Sequence, residues 1–241
     1  MNRIKLEICL GSVDDAVAAF KGGADRIELC ANRPMGGTTP SAGLIAGVRD
    51  AVPIPIHVLI RPRAGDFCYT AAEMEVMRRD IAVAKDLGAD GVVFGILLPE
   101  NRIDRKRTAG LVRIARPMSV TFHRAFDSAP DPVEALNELA DLGVDRLLTA
   151  GGKSSAPAGA VRIRSLILRA GRRVTILPGG GINAGNLRPF LRSTRAGEVH
   201  IGSGVEGEPD RAKGPFTRSF GQNRVVEKAR VAAIVRILGT I

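Results

Sequence analysis

The amino-acid sequence predicts a single-domain (β/α)₈ barrel. Three observations carry that expectation. The chain has 241 residues, close to the roughly 250 typical of such barrels. A Gly-x-Asp junction recurs three times, as Gly22-Gly23-Ala24-Asp25-Arg26-Ile27, Leu87-Gly88-Ala89-Asp90-Gly91-Val92 and Leu142-Gly143-Val144-Asp145-Arg146-Leu147. Each reads as a helix end, a glycine in the left-handed conformation and a short apolar strand. Finally, strand and helix patterns alternate about eight times, the number that closes a barrel.

In chain order, the strands are predicted near 4–10, 26–30, 55–61, 91–96, 118–123, 145–149, 174–178 and 198–202. Ser12 with Asp15, and Thr70 with Glu73, are spaced as capping boxes that start helices. Asp131 before Pro132 reads as an N-cap with proline in the first helical position. A last helix is expected over about 225–238. An open, doubly wound sheet also alternates strand and helix, but the turn after the first strand, Leu10-Gly11-Ser12-Val13, lacks a Gly-x-Gly-x-x-Gly fingerprint. No linker divides 1–241, and the irregular stretch 203–224 falls where barrels carry functional loops.

Composition narrows the function classes. Hydrophobic residues make up 45% of the chain, and no apolar run approaches the roughly 18 residues of a membrane-spanning helix. Met1-Asn2-Arg3-Ile4-Lys5 leads into a strand without an apolar signal region, so the expected compartment is the cytoplasm, with no membrane partner. The formal net charge is +10, spread mainly as arginine along helical stretches. With one Tyr and no Trp there is little to stack on bases, so no nucleic-acid partner is expected. The three cysteines, Cys9, Cys30 and Cys68, do not suggest a disulfide framework.

Strand parity then selects candidate site residues. In Leu6-Glu7-Ile8-Cys9 and Ile27-Glu28-Leu29-Cys30, Glu7, Cys9, Glu28 and Cys30 share the face opposite the aliphatic residues. The aliphatic face suits the helices, so the carboxylates and thiols point into the barrel. Cys9 and Cys30 end neighbouring strands. Close thiolates are soft ligands that select Cu(I); small buried space-fillers are the other reading of the same residues. His57, Leu59 and Arg61 share a face of the third strand, and Arg61 with Arg63 suggests a fork for a carboxylate or phosphate. An internal salt bridge to Glu7, Glu28 or Asp66 is the alternative, and Asp66 itself lies in the rim loop after that strand. At the end of the fifth strand, His123 with Asp127 suggests a general acid–base pair. Gly180 and Gly181 after strand seven, and His200 and Gly202 at strand eight, occupy the positions where barrels bind phosphate.

These segments are Leu-Glu-Ile-Cys, Gly-Ala-Asp-Arg-Ile-Glu-Leu-Cys, Gly-Gly-Thr-Thr-Pro-Ser (36–41), Ile-Arg-Pro-Arg with Gly-Asp-Phe-Cys-Tyr, Val-Thr-Phe-His-Arg-Ala-Phe-Asp and Pro-Gly-Gly-Gly-Ile. In that order they resemble the signatures of the CutC copper-homeostasis family over roughly residues 4–200. The resemblance implies a cytoplasmic barrel linked to copper tolerance, with Cys9 and Cys30 at the positions proposed as Cu(I) ligands in the family. It also implies a homo-oligomer, dimer or tetramer. The family commonly has His-x-Ser after strand eight, whereas this chain reads His200-Ile201-Gly202-Ser203, and 203–224 matches poorly. The rim residues support a second expectation: an enzyme acting on a small phosphorylated or carboxylated substrate, with Glu7, Glu28, His123 and Asp127 as catalytic groups.

Overall fold

The computed structural model describes residues 3–208 and 224–241. Eight parallel strands alternate with eight helices. In chain order they are β1 (Lys5–Leu10), α1 (Val13–Gly22), β2 (Arg26–Leu29), α2 (Ala42–Ala51), β3 (Ile56–Leu59), α3 (Ala71–Asp86), β4 (Gly91–Phe94), α4 (Arg105–Ala115), β5 (Ser119–Phe122), α5 (Pro132–Asp141), β6 (Arg146–Thr149), α6 (Ala160–Ala170), β7 (Thr175–Pro178), α7 (Ala184–Thr194), β8 (Glu198–Ile201) and α8 (Lys228–Leu238). From β1 to β7 each strand pairs in parallel with the next, and β8 pairs in parallel with β1. Between β7 and β8 a single parallel bridge, Gly179 to His200, closes the ring. The predicted barrel is the observed fold. The third strand ends at Leu59, two residues earlier than its apolar pattern suggested, because the Arg61 N–H turns to the Thr39 hydroxyl.

The helix starts follow from their caps. Thr70 and Glu73 form the full reciprocal box, and Asp131 accepts from the N–H groups of Val133 and Glu134. Ser12 accepts from Asp15 N–H, but the Asp15 carboxylate turns instead to Val226 N–H, which ties the α8 approach to α1. The helix ends follow from the repeated glycines. Gly23, Gly88 and Gly143 have φ of 96°, 78° and 77°. Each lets the next N–H reach back five residues: Ala24 to Ala19, Ala89 to Ala84 and Val144 to Leu139. An L side chain there would strain the backbone.

The aspartates of the same junctions do a second job. Asp25 accepts from Leu6 N–H at 2.8 Å, Asp90 from Ile56 N–H at 2.9 Å and Asp145 from Val120 N–H at 2.7 Å. Each aspartate thus satisfies a donor on the strand preceding its own, and each is also paired with an arginine, respectively Arg3, Arg49 and Arg116. Asp145→Ala leaves the N–H of fully buried Val120 without its acceptor, so we expect a loss of about 1–3 kcal/mol. Urea unfolding of the variant, with an unchanged m-value, measures it.

Outward-facing strand residues such as Leu6, Ile8, Ile27, Val58, Phe94 and Val199 pack with helix residues such as Ala19, Met77, Leu139 and Ile234 in one core. This frees the inward face for polar groups. No helix among the described residues is long and apolar enough to cross a membrane.

Candidate functional site

The inward parity of the strands builds the barrel interior in two levels. The lower level is ionic. Arg26, at the start of β2, donates through Nε to Glu7 and through Nη2 to Glu198 Oε2 at 2.7 Å. Arg146, at the start of β6, donates to the same Glu198 oxygen at 3.0 Å and to Ser119 Oγ at 2.6 Å. His57 lies beside this network, its Nδ1 4.0 Å from Glu7 and without a hydrogen-bond partner. Its ring fills the space over Gly91, where a Cβ would come within 2.5 Å of it. Burial lowers the His57 pKa to about 4, so the ring is neutral.

The upper level holds the two thiols. Cys9 Sγ and Cys30 Sγ are 3.5 Å apart, and Cys30 packs with Leu59 and Val93 as a small apolar wall. His200, from β8, joins the two levels. Its Nδ1 is 2.7 Å from Glu7 Oε1 and its Nε2 is 3.6 Å from Glu28 Oε2. Cys9, Glu28 and His200 each present a ligand atom within 4.8 Å of the others.

Charge placement sets the protonation states. Burial acts to raise Glu7, but the Arg26 guanidinium and the His200 hydrogen bond outweigh it and hold the carboxyl well below its usual range. Burial, with Glu7 nearby, raises Glu28 above its usual range, although His200 opposes this. Burial would discharge His200, yet Glu28, Cys9 and Glu7 together hold it protonated well above the ordinary histidine value. The hydrogen bond to Cys30, burial and Glu28 raise the Cys9 thiol. Without a bound cation, then, this corner holds a thiol and an imidazolium.

These groups form part of the floor of a cavity of about 1180 Å³ at the C-terminal mouth of the barrel, lined also by Arg33, Leu59, Arg61, Phe67, His123, Arg124, Gly202 and Ser203. The expected residues divide around it. Cys9, Cys30, Glu28, Arg61, His123, Asp127, His200 and Gly202 reach it. Glu7 lies below, fully committed to Arg26 and His200. Gly180 and Gly181 stand back from the lining. Arg124 Nη1 lies 3.1 Å from where a Gly180 Cβ would be, and Ser155 sits over Gly181. Of the glycines expected at the anion site, Gly202 lines the cavity and Gly180 and Gly181 do not.

Two expected pairings are corrected. Arg61 and Arg63 do not form a fork. Arg61 turns inward to the carbonyls of Met35, Gly37 and Gly65. Arg63 turns outward to Asp66 and Glu73, and Asp66 is taken up in that pair, away from the cavity. His123 is not oriented by Asp127. A 3-10 turn over Arg124–Ser128 swings Asp127 to the loop after β6, where it accepts from Thr149 Oγ1 and the N–H groups of Ala150 and Gly152. His123 instead accepts from Ala125 N–H. Arg26, Arg146 and Glu198 were not among the sequence candidates, though Arg26 shares the parity of Glu28 and was open to the same reasoning. Most of the 203–224 loop lies outside the described residues.

With this geometry in hand, the likenesses to known proteins are specific. Residues 4–205 match the profile of the CutC family. A human protein named copper homeostasis protein cutC homolog is 49% identical over 199 residues, 83% of this chain and 73% of that one. A Xanthomonas campestris protein named as CutC family is 42% identical over 237 residues, 98% of this chain and 99% of its own length. A solved structure from Streptococcus agalactiae that carries the CutC copper-homeostasis name superposes with a TM-score of 0.79 at 33% identity, covering 82% of this chain and 98% of that one. Thiamine phosphate pyrophosphorylase from Pyrococcus furiosus, at TM-score 0.62 and 17% identity, shares the barrel fold alone.

Proposed function

Since this chain belongs to the CutC family, whose members carry the copper-homeostasis name, we propose that it binds Cu(I) through Cys9 and Cys30 with His200 as the third ligand. The observation that carries this is the 3.5 Å separation of the two sulfurs at the cavity floor. Thiolates select soft ions, and the wall of Leu59 and Val93 suits a soft, weakly hydrated one. His200 is set up as a ligand from behind. Glu7 engages its Nδ1, which leaves Nε2 facing the cavity side. A carboxylate on the far ring nitrogen orients a metal-binding histidine and raises its basicity.

Binding exchanges protons for the ion. Each thiol gives up its proton and His200 gives up the one on Nε2, so affinity rises with pH. Titration of Cu(I) against a competing chelator tests the reading. Wild type competes, more strongly at pH 8 than at pH 6, and Cys9→Ser/Cys30→Ser does not. Equal affinity in the two proteins would sink it. Tighter binding of Zn(II) than Cu(I), lost in Glu28→Gln, would replace it with a borderline site of Cys9, Glu28 and His200.

A further inference from the structure

An ion held by two sulfurs and a ring nitrogen occupies a small corner of a cavity of about 1180 Å³. Pockets for organic ligands run to roughly 300–1,000 Å³. The wall away from the thiols carries two features that the copper reading does not use.

The first is Arg61, which is only 5% exposed. Its guanidinium nitrogens donate to three backbone carbonyls, Met35, Gly37 and Gly65. Carbonyls satisfy N–H groups but do not neutralise charge. No carboxylate of the described residues lies within ion-pair reach of Arg61, and its Nε has no acceptor. A buried charge of one sign is costly unless it is paired.

The second is His123, 6% exposed and lining the same cavity. Its Nδ1 accepts from Ala125 N–H at 3.2 Å, which places the ring proton on Nε2. That donor has no acceptor. Burial and the Arg61 charge push the His123 pKa down to about 3, so the ring is a neutral donor across the physiological range. Phe67 joins the two groups. Its ring centroid lies 4.8 Å from that of His123, and the Arg61 guanidinium carbon lies 5.2 Å from the Phe67 centroid.

We propose that Arg61, His123 and Phe67 form a binding site for a small organic monocarboxylate, separate from the cysteine pair. One uncompensated cation matches one negative charge. The Arg61 Nε–H and the His123 Nε2–H are buried donors without an acceptor, free for its oxygens, and Phe67 gives an apolar face for the organic part. A phosphate dianion asks for a second positive charge, and Arg61, His123 and Phe67 supply one. Both nitrogens are buried beside the half-buried Phe67 ring, so binding requires that ring to turn aside.

The test uses metal-free full-length protein with a Cu(I) chelator present, so its outcome does not depend on copper binding. Acetate, lactate and benzoate are compared with inorganic phosphate by thermal stabilisation and calorimetry. A carboxylate stabilises wild type and moves the His123 Nε2–H resonance in a ¹⁵N-histidine spectrum. His123→Ala weakens binding by about 10- to 100-fold, the loss of a hydrogen bond to a charged group. His123→Gln, which places an amide N–H near the position of Nε2, keeps most of it. No stabilisation of wild type by any carboxylate overturns the proposal. Equal binding by wild type and His123→Ala also overturns it, as does preference for phosphate.

Discussion

Replacing Arg26 by Met will lower the unfolding free energy by about 3–5 kcal/mol, the usual cost of removing one partner from a buried ion pair. Arg26 holds two buried carboxylates at once, Glu7 from β1 and Glu198 from β8. Met fills similar volume, so the loss reports charge rather than a void. With Arg26 gone, Glu7 keeps only His200 as a close partner, and Glu198 keeps Arg146. Urea unfolding measures the change. A loss under about 1 kcal/mol would mean that water or neighbouring groups compensate the two carboxylates, and the network would then be peripheral to stability.

The second large effect is acid sensitivity beginning well above the carboxylate range. His123 and His57 are held neutral, with pKa values of about 3 and about 4 against the ordinary 6.5. Both values are depressed, so between about pH 6.5 and 4.5 the unfolded chain takes up protons that the native state refuses. Each such proton costs about 1.4 kcal/mol of stability per pH unit, so the two together approach roughly 3. Glu28 acts in the opposite sense, because its raised value lets the native state hold a proton more readily, and this shallows the slope. The raised value of His200 adds nothing in this window: its contribution is complete below the unfolded pKa and is lost only as pH rises through the folded one. Urea midpoints at pH 6.5, 5.5 and 4.5 should fall steadily, and His123→Gln should remove about one proton from the slope. A flat profile in wild type would mean that one or both rings are charged in the native state.

Parity and turn chemistry made the barrel legible before any coordinates. Gly23, Gly88 and Gly143 announced helix ends, and the Glu-x-Cys alternation placed four side chains inside. Parity gives a direction but no depth. It could not tell that Glu7 sinks to the ionic level while Glu28 stays at the cavity, a difference that arises from the offset between neighbouring strands, since Cys9 stands opposite Glu28 and Glu7 opposite Arg26. It also fails where a strand ends. Arg61 and Arg63 share a parity, yet β3 stops at Leu59 and the two guanidiniums leave in different directions. The spacing of His123 and Asp127 suggested contact, but the intervening 3-10 turn takes the carboxylate to the neighbouring loop. Phe67, which packs against both Arg61 and His123, had no signal beyond its place in a rim loop. Charge bookkeeping could have found Arg26 and Arg146, since two inward arginines require inward acids.

The aspartate ties join β1 to β2, β3 to β4 and β5 to β6, always within a pair and never between pairs. The barrel is thus stitched as a set of two-strand staves with their own internal fastening. The last pair, β7 and β8, meets at one bridge. Under strain such a vessel parts along its thinnest joint, and that joint includes His200. Any loosening of the ring at β7–β8 is felt first by the residue that connects the ionic floor to the cysteines.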